Sequence, residues 1–210
     1  MDKARVLYTA IYPYTKFNSL SLAEVLYNFT GDNIDILKRL LDLQASYPNF
    51  YEWFYHKVLK DLNYRRNGRN ILFAISKVEE NEQILTRLTG IAILKNEKEE
   101  KKICTFRVFP DYQKQGIGKK LMKCCFDYLD TSKPMITMPD YMVRTFRGFA
   151  IEYKWKLCQR MPDYYKAGVT EYVYNGLLPL KIEMNEKKLL DRAKNTLIKR
   201  PGESHRWYNL

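Results

Sequence analysis

No apolar run in the 210 residues approaches the ~20 that a helix needs to cross a bilayer. The opening residues, Met1-Asp2-Lys3-Ala4-Arg5, do not lead into the apolar stretch of a secretory signal. A cytoplasmic protein with no membrane contact is expected. Cysteine is scarce, at four residues: Cys104, Cys124, Cys125 and Cys158. No two of them have the spacing of a zinc knuckle or a redox Cys-x-x-Cys. They read as buried thiols without chemistry, and no metal site is expected. Internal repeats and low-complexity stretches are missing too, which excludes solenoids and tails of biased composition. Acidic residues number 24 against 36 Lys and Arg, a net charge of +12. That field favours an anionic partner. Asn, Ile, Lys and Tyr are all abundant, so the charge also fits the codon usage of an AT-rich genome. No dense basic block supports a nucleic-acid tail; the nearest approach, Arg65-Arg66-Asn67-Gly68-Arg69, contains an Asn-Gly pair that suits a solvated turn.

What remains is an ordinary globular mixture, 46% hydrophobic and 29% charged, of a length that suits one α/β domain with extensions. Residues 5–12, rich in Val, Tyr, Thr and Ile and stopped by Pro13, predict a strand. Residues 21–29 and 32–44 predict helices, the second opening on Asp32 as N-cap, and residues 50–62 predict a third. The aromatic cluster of that third helix, Phe50, Tyr51, Trp53, Phe54 and Tyr55, either packs the helix on a sheet or lines an acceptor pocket; His56 carries no assigned role. Strands at 71–78, 88–95 and 102–109, joined by charged turns, form an antiparallel meander. A helix at 116–130 and a strand at 133–138 complete a βαβ unit with a parallel strand pair at the sheet centre. A helix at 143–154, strands at 155–160 and 171–174, and a basic amphipathic helix at 185–199 follow.

The informative segment is Val108-Phe109-Pro110-Asp111-Tyr112-Gln113-Lys114-Gln115-Gly116-Ile117-Gly118-Lys119-Lys120-Leu121. A strand ends at a proline, a polar loop turns, and a helix opens on two glycines. Such a loop presents unpaired N–H groups at the positive end of a helix dipole, where a phosphate binds well. Gly116 and Gly118 remove Cβ atoms from its approach, and Lys114, Lys119 and Lys120 add cations. The spacing Gln113-x-x-Gly116-x-Gly118 is neither a Walker loop nor a dinucleotide fingerprint.

Val-x-Pro-x-Tyr-Gln-x-x-Gly-x-Gly before an amphipathic helix resembles the acetyl-CoA-binding motif of the GNAT superfamily of N-acyltransferases. The resemblance covers about residues 69–174, with Thr89-Gly90-Ile91-Ala92 one strand earlier. It implies a mixed α/β (α+β) fold: a mostly antiparallel central sheet with one splayed parallel pair, flanked by helices. It also implies that acetyl-CoA is co-substrate and that pantetheine inserts between the strand ending near Val108 and the strand at 135–138. N–H groups around Val108 would then stabilise the oxyanion. The cofactor-binding set so implied is Val108, Phe109, Gln113, Lys114, Gln115, Gly116, Ile117, Gly118 and Lys119.

The family's thiolate-protonating tyrosine has no match here, because aligning Lys154-Trp155 with the family's Gly-Phe pair sets Ala150 at that position. Tyr153 is the nearest substitute and is taken as the catalytic candidate. Val143 stands where the family often has Asn. Glu99, Glu100 and Glu152 are the candidate bases, and catalysis can also rest on positioning and the oxyanion site alone. The expected function is acetyl transfer to an amine, the acceptor lying between the 50–62 helix and the strand ends. An aminoacyl-tRNA or other polyanionic acceptor, and a catalytically degenerate CoA-binding module, stay open as alternatives. The expected division is 1–68 as the acceptor side, 69–178 as the acetyl-CoA-binding core and 179–210 as a basic helix and tail.

Overall fold

The computed structural model describes residues 4–17, 20–30, 36–64 and 68–180. The helix expected at 185–199, the Asp32 N-cap and the Arg65-Arg66-Asn67 run lie outside the described residues. By its contacts the chain divides into two compact units, Met1–Leu177 and Leu178–Leu210.

In chain order the elements are strand β1 (Arg5–Pro13), helices α1 (Leu22–Thr30), α2 (Ile36–Leu40), α3 (Phe50–Trp53) and α4 (Lys60–Asn63), strands β2 (Arg69–Glu80), β3 (Gln83–Asn96) and β4 (Lys101–Val108), helix α5 (Ile117–Leu129), strand β5 (Met135–Pro139), helix α6 (Val143–Glu152), and strands β6 (Leu157–Pro162) and β7 (Thr170–Tyr174). A π-helical stretch, Phe54–Leu59, joins α3 to α4 in one rod. Its inward residues Phe50, Phe54, Val58 and Leu62 are all buried and fall at four-residue steps. At about 100° per residue an ideal α-helix would rotate such a stripe by about 40° per step. The wider π turn keeps the stripe on the sheet instead.

The seven strands run in the order β1-β2-β3-β4-β5-β7-β6, and every pair is antiparallel except β4–β5. The expected mixed sheet with one parallel pair is therefore present. Strand β2 and β3 run longer than expected, because Asn81 and Glu82, both at positive φ, make the whole hairpin turn. Turns with φ > 0 at both central residues match the twist of the strands they join. Side chains alternate across the central strands: Ile71, Phe73, Ile91 and Ile93 face the core under α1 and the 50–63 rod, while Leu72, Ala92 and Leu94 face the core under α5 and α6.

Two bulges shape the middle of the sheet. In β3, Ala74 pairs with Gly90 and Ile75 with Leu88, so Thr89 is the extra residue. In β4, Thr105 pairs with Ile93 and Ile103 with Leu94, so Cys104 is extra. A bulge bends its strand and increases the local twist. Beside the first one, a Cβ on Gly90 would stand 2.8 Å from the Arg107 carbonyl oxygen, so only glycine lets β3 and β4 approach this closely.

Candidate functional site

Strands β4 and β5 pair at only two positions, Lys102 with Met135 and Ile103 with Ile136. Past the Cys104 bulge β4 continues to Val108 and β5 to Pro139 without further pairing, so the sheet opens between two parallel strands. The Phe109 N–H donates to the Thr89 carbonyl (2.9 Å), and Val108 lies opposite Gly90. In an antiparallel ladder the groups bonding to one neighbour alternate with groups turned the other way. Val108 therefore directs its N–H and C=O away from β3, toward the opening.

The loop after Val108 brings helix α5 to the same end of the sheet. Gly116 caps α5 with φ +81°, and no side chain caps the helix. The first intrahelical bond runs from the Lys120 N–H to the Gly116 carbonyl (3.2 Å), so the N–H groups of Ile117, Gly118 and Lys119 have no partner in the helix. A Cβ on Gly116 would meet nothing within 4 Å; at Gly118 it would stand 3.7 Å from Val108 Cγ2 and 3.9 Å from Phe149 Cζ. These uncapped donors, an exposed glycine and the strand opening beside them fit a diphosphate with an extended arm.

The expected cofactor residues divide into several roles. Gln113 Nε2 donates to the Val108 carbonyl (3.0 Å), tying the loop to the strand end. Gln115 is occupied elsewhere: its Oε1 accepts from the Val6 N–H (2.8 Å) and its Nε2 donates to the Ala4 carbonyl (2.9 Å), fastening the loop to β1. Phe109 and Ile117 are core side chains, the former under the Arg39 guanidinium at 5.4 Å. Only their backbones remain for a ligand. Lys114 is exposed at positive φ, and Lys119 pairs with Glu152 at 3.0 Å. Lys120 Nζ donates to the Thr9 carbonyl and lies 4.7 Å over the Tyr8 ring.

Tyr153 is at the C-cap of α6, its ring edge-on to Phe126 at 4.7 Å and stacked on Phe149 at 6.4 Å. It is not among the described residues that line the cavity beside the strand opening. Phe146 reaches that cavity from α6, edge-on to Phe106 at 6.0 Å.

This cavity, of about 660 Å³, passes between β4 and β5. On the α6 side it meets Phe106, Ile136, Met138 and Phe146; on the side of the 50–63 rod it meets Tyr47, Trp53, Thr137 and Tyr165. The aromatic cluster is thus divided. Phe50 lines the cavity and belongs to the core, Phe54 belongs to the core, Trp53 lines the cavity, and Tyr51, Tyr55 and His56 are exposed.

Three cations on the cavity are neutralised locally: Arg69 by Asp61 (3.5 Å), Lys95 by Glu97 (2.6 Å) and Glu100, and Arg107 by Asp42. Burial works against the Glu100 carboxylate, but its hydrogen bond with Lys95 and the charges of Lys102, Lys95 and Arg69 prevail and hold its pKa low. It is therefore a weak proton acceptor. Glu99 is exposed in the β3–β4 turn, and Glu152 is committed to Lys119.

One carboxylate escaped the sequence reading. Glu171, on β7 opposite Pro139 of β5, is only 2% exposed. It accepts a hydrogen bond from the Tyr47 hydroxyl (3.2 Å) and another from Thr137. Burial outweighs these bonds and the Lys102 charge, and pushes its pKa up to about 7. Burial and the Glu171 charge raise the Tyr47 phenol well above its ordinary range, so it stays neutral. In the sequence Glu171 looks like the polar start of a short strand. Its parity with Val173, while Tyr172 and Tyr174 pack on the other face, was the available signal of burial on both faces.

The cysteines correct one expectation. Cys125 is buried and Cys104 and Cys124 are half-buried, but Cys158 is exposed, because it lies at a bulge of β6, the edge strand of the sheet. No group of His, Cys, Asp and Glu suited to a metal occurs among the described residues, and no helix among them is long and apolar enough to cross a membrane.

No curated protein matches the chain in sequence. Among solved structures, the NatC complex bound to Gag peptide and CoA is similar with a TM-score of 0.50 at 14% identity, over 82% of this chain and 99% of that one. A GNAT-family acetyltransferase from Staphylococcus aureus Mu50 has a TM-score of 0.45 at 17% identity, over 80% and 100%. The ribosomal-protein-S18-alanine N-acetyltransferase of Escherichia coli has 0.44 at 12%, over 83% and 98%. Residues 37–134, from α2 through α5, match the profile described as the acetyltransferase (GNAT) family.

Proposed function

We propose that the protein is a cytoplasmic N-acetyltransferase that moves an acetyl group from acetyl-CoA to an amine by direct attack. The observation that carries the reading is the opening between β4 and β5 beside the uncapped start of α5. On this reading the diphosphate of CoA rests on the N–H groups of 117–119, the pantetheine arm runs between the diverging strands, and the Val108 N–H receives the thioester oxygen. The amine enters from the side of Tyr47 and Trp53, through the cavity that crosses the sheet. Four thiols, none in a disulfide, suit a reducing compartment.

Calorimetry with CoA and acetyl-CoA tests the cofactor half. The wild-type chain is expected to bind both, and Gly116→Val to lose at least tenfold in affinity while retaining its circular dichroism spectrum. Valine at φ +81° is strained by about 1–2 kcal/mol, and its methyls would project into the open space where the ligand must approach. Absence of any binding heat with the wild-type protein would defeat the reading.

A further inference from the structure

We propose that Tyr47 and Glu171 form a proton relay that receives the proton of the attacking amine. This rests on the acetyl-transfer reading and adds to it the group on which the proton ends.

Tyr47 lines the cavity, and its hydroxyl donates to a carboxylate buried behind it. A carboxylate is seldom buried without a cationic partner, and none of the described salt bridges includes Glu171. The groups around it are few. Thr137 on β5 and the Tyr47 hydroxyl donate to it, Lys102 on β4 favours its charged form, and Asp140 at the end of β5 opposes it. Tyr165, from the β6–β7 connection, adds a second phenol, edge-on to the Tyr47 ring at 5.3 Å.

The segment that carries Tyr47 is held in place on several sides. Lys166 Nζ donates to the Ala45 carbonyl (2.7 Å), the Tyr141 hydroxyl bonds to Ser46 Oγ, and the Tyr47 N–H donates to the Leu43 carbonyl (2.8 Å). The phenol therefore stands between cavity and carboxylate without needing to be ordered at the moment of reaction.

The step balances as follows. The amine nitrogen forms its bond to the acyl carbon and the thioester C–S bond breaks, releasing CoA thiolate. The proton lost by nitrogen passes to Tyr47 Oη while the Tyr47 proton passes to Glu171, leaving a neutral phenol and a protonated carboxyl. The thiolate takes a proton from solvent, and Glu171 later returns its own to solvent through Tyr47. A carboxylate that gains its proton near neutral pH suits this task at working pH. Tyr47 touches the substrate, and Glu171 acts through it.

The test measures thiol release from acetyl-CoA with a panel of primary amines and polyamines, as pH profiles of kcat/KM for the wild type, Tyr47→Phe, Glu171→Gln and Glu171→Asp. Both Tyr47→Phe and Glu171→Gln are close in shape to the native side chains, and circular dichroism with CoA calorimetry verifies fold and cofactor binding. The wild-type profile is expected to rise with pH through about 7. Glu171→Gln and Tyr47→Phe should each lower kcat/KM by about a hundredfold, the scale of general-base catalysis, and lose that limb. Glu171→Asp should restore part of the rate together with a limb. A limb unchanged in Glu171→Gln, or a Tyr47→Phe enzyme of near-native rate, overturns the relay and leaves the acetyl-transfer reading standing. No thiol release by CoA-binding wild type with any amine removes the acetyl-transfer reading and the relay with it.

Discussion

Replacing Glu171 by Gln should make the protein's stability less dependent on pH, and in a direction opposite to that of most carboxylates. The ordinary carboxyl value is 4.5, and in the fold burial pushes Glu171 up to about 7. Below the ordinary value both folded and unfolded chains hold the proton, and the carboxyl is at no disadvantage. Between the two values the unfolded chain has released it while the folded chain still holds it. The folded state then binds more protons, so stability falls as pH rises and levels off above the folded value. Each pH unit of that interval is worth about 1.4 kcal/mol, which makes the full loss about 3 kcal/mol. Glutamine keeps an oxygen for the Tyr47 hydroxyl and cannot ionise, so it escapes the loss. Urea unfolding of both proteins at a series of pH values from 4 to 9 measures the effect as the difference between the two curves, in which the other carboxylates cancel. The difference should grow in favour of Gln by about 3 kcal/mol across this window, on top of any pH-independent offset from the new amide. A flat difference, or one that grows in favour of Glu, would refute the burial of an unpaired carboxylate here.

Two further outcomes are expected. Asp61→Ala should destabilise the fold by about 3–5 kcal/mol in urea unfolding, since it strands the buried Arg69 guanidinium, whose Nε already lacks a partner. Ser76→Ala should cost about 1–3 kcal/mol in the same assay, because Ser76 Oγ links Thr9 Oγ1 (2.8 Å) to Thr89 Oγ1 (2.7 Å) in a buried chain of hydroxyls that ends on the Ala74 carbonyl.

The fold and the candidate site were legible to different degrees in the sequence. Strand-like apolar stretches separated by charged turns announced β2 to β4, and the two glycines after a proline-ended strand announced the start of α5. Both signals are local, and they arise from side-chain composition and backbone freedom. The opening between β4 and β5 was expected only through the family resemblance, because its immediate cause, one extra residue at Cys104, leaves no mark in composition. The occupation of Gln115 by β1 was beyond reach, since it joins positions 109 residues apart. Glu171 and Tyr47 are separated by 124 residues, and their pairing depends on β7 inserting between β5 and β6, an order that no local pattern states. Tyr153 stands near the family's tyrosine position in sequence, and its ring packs on Phe126 of α5 and Phe149 of α6, contacts that no local pattern states.

The two bulges explain why one short stretch of sheet can serve two ligands. Cys104 turns β4 from its parallel partner, and without that turn Thr105 to Val108 would continue the ladder with β5 and the N–H groups of Phe106 and Val108 would be spent in it. Thr89 keeps the far side of β4 anchored, since its carbonyl takes the Phe109 N–H and its hydroxyl ends a buried chain. One edge of β4 is thus fixed while the other is opened, and the Val108 N–H is aimed without being spent. Because the gap passes through the sheet, it is lined by α6 residues on one face and by Tyr47 and Trp53 on the other. On the acetyl-transfer reading, thioester and amine then reach one carbonyl from opposite faces. The proton acceptor must lie on the amine's face, and among the carboxylates described beside the cavity Glu171 has the raised affinity for a proton that this role needs.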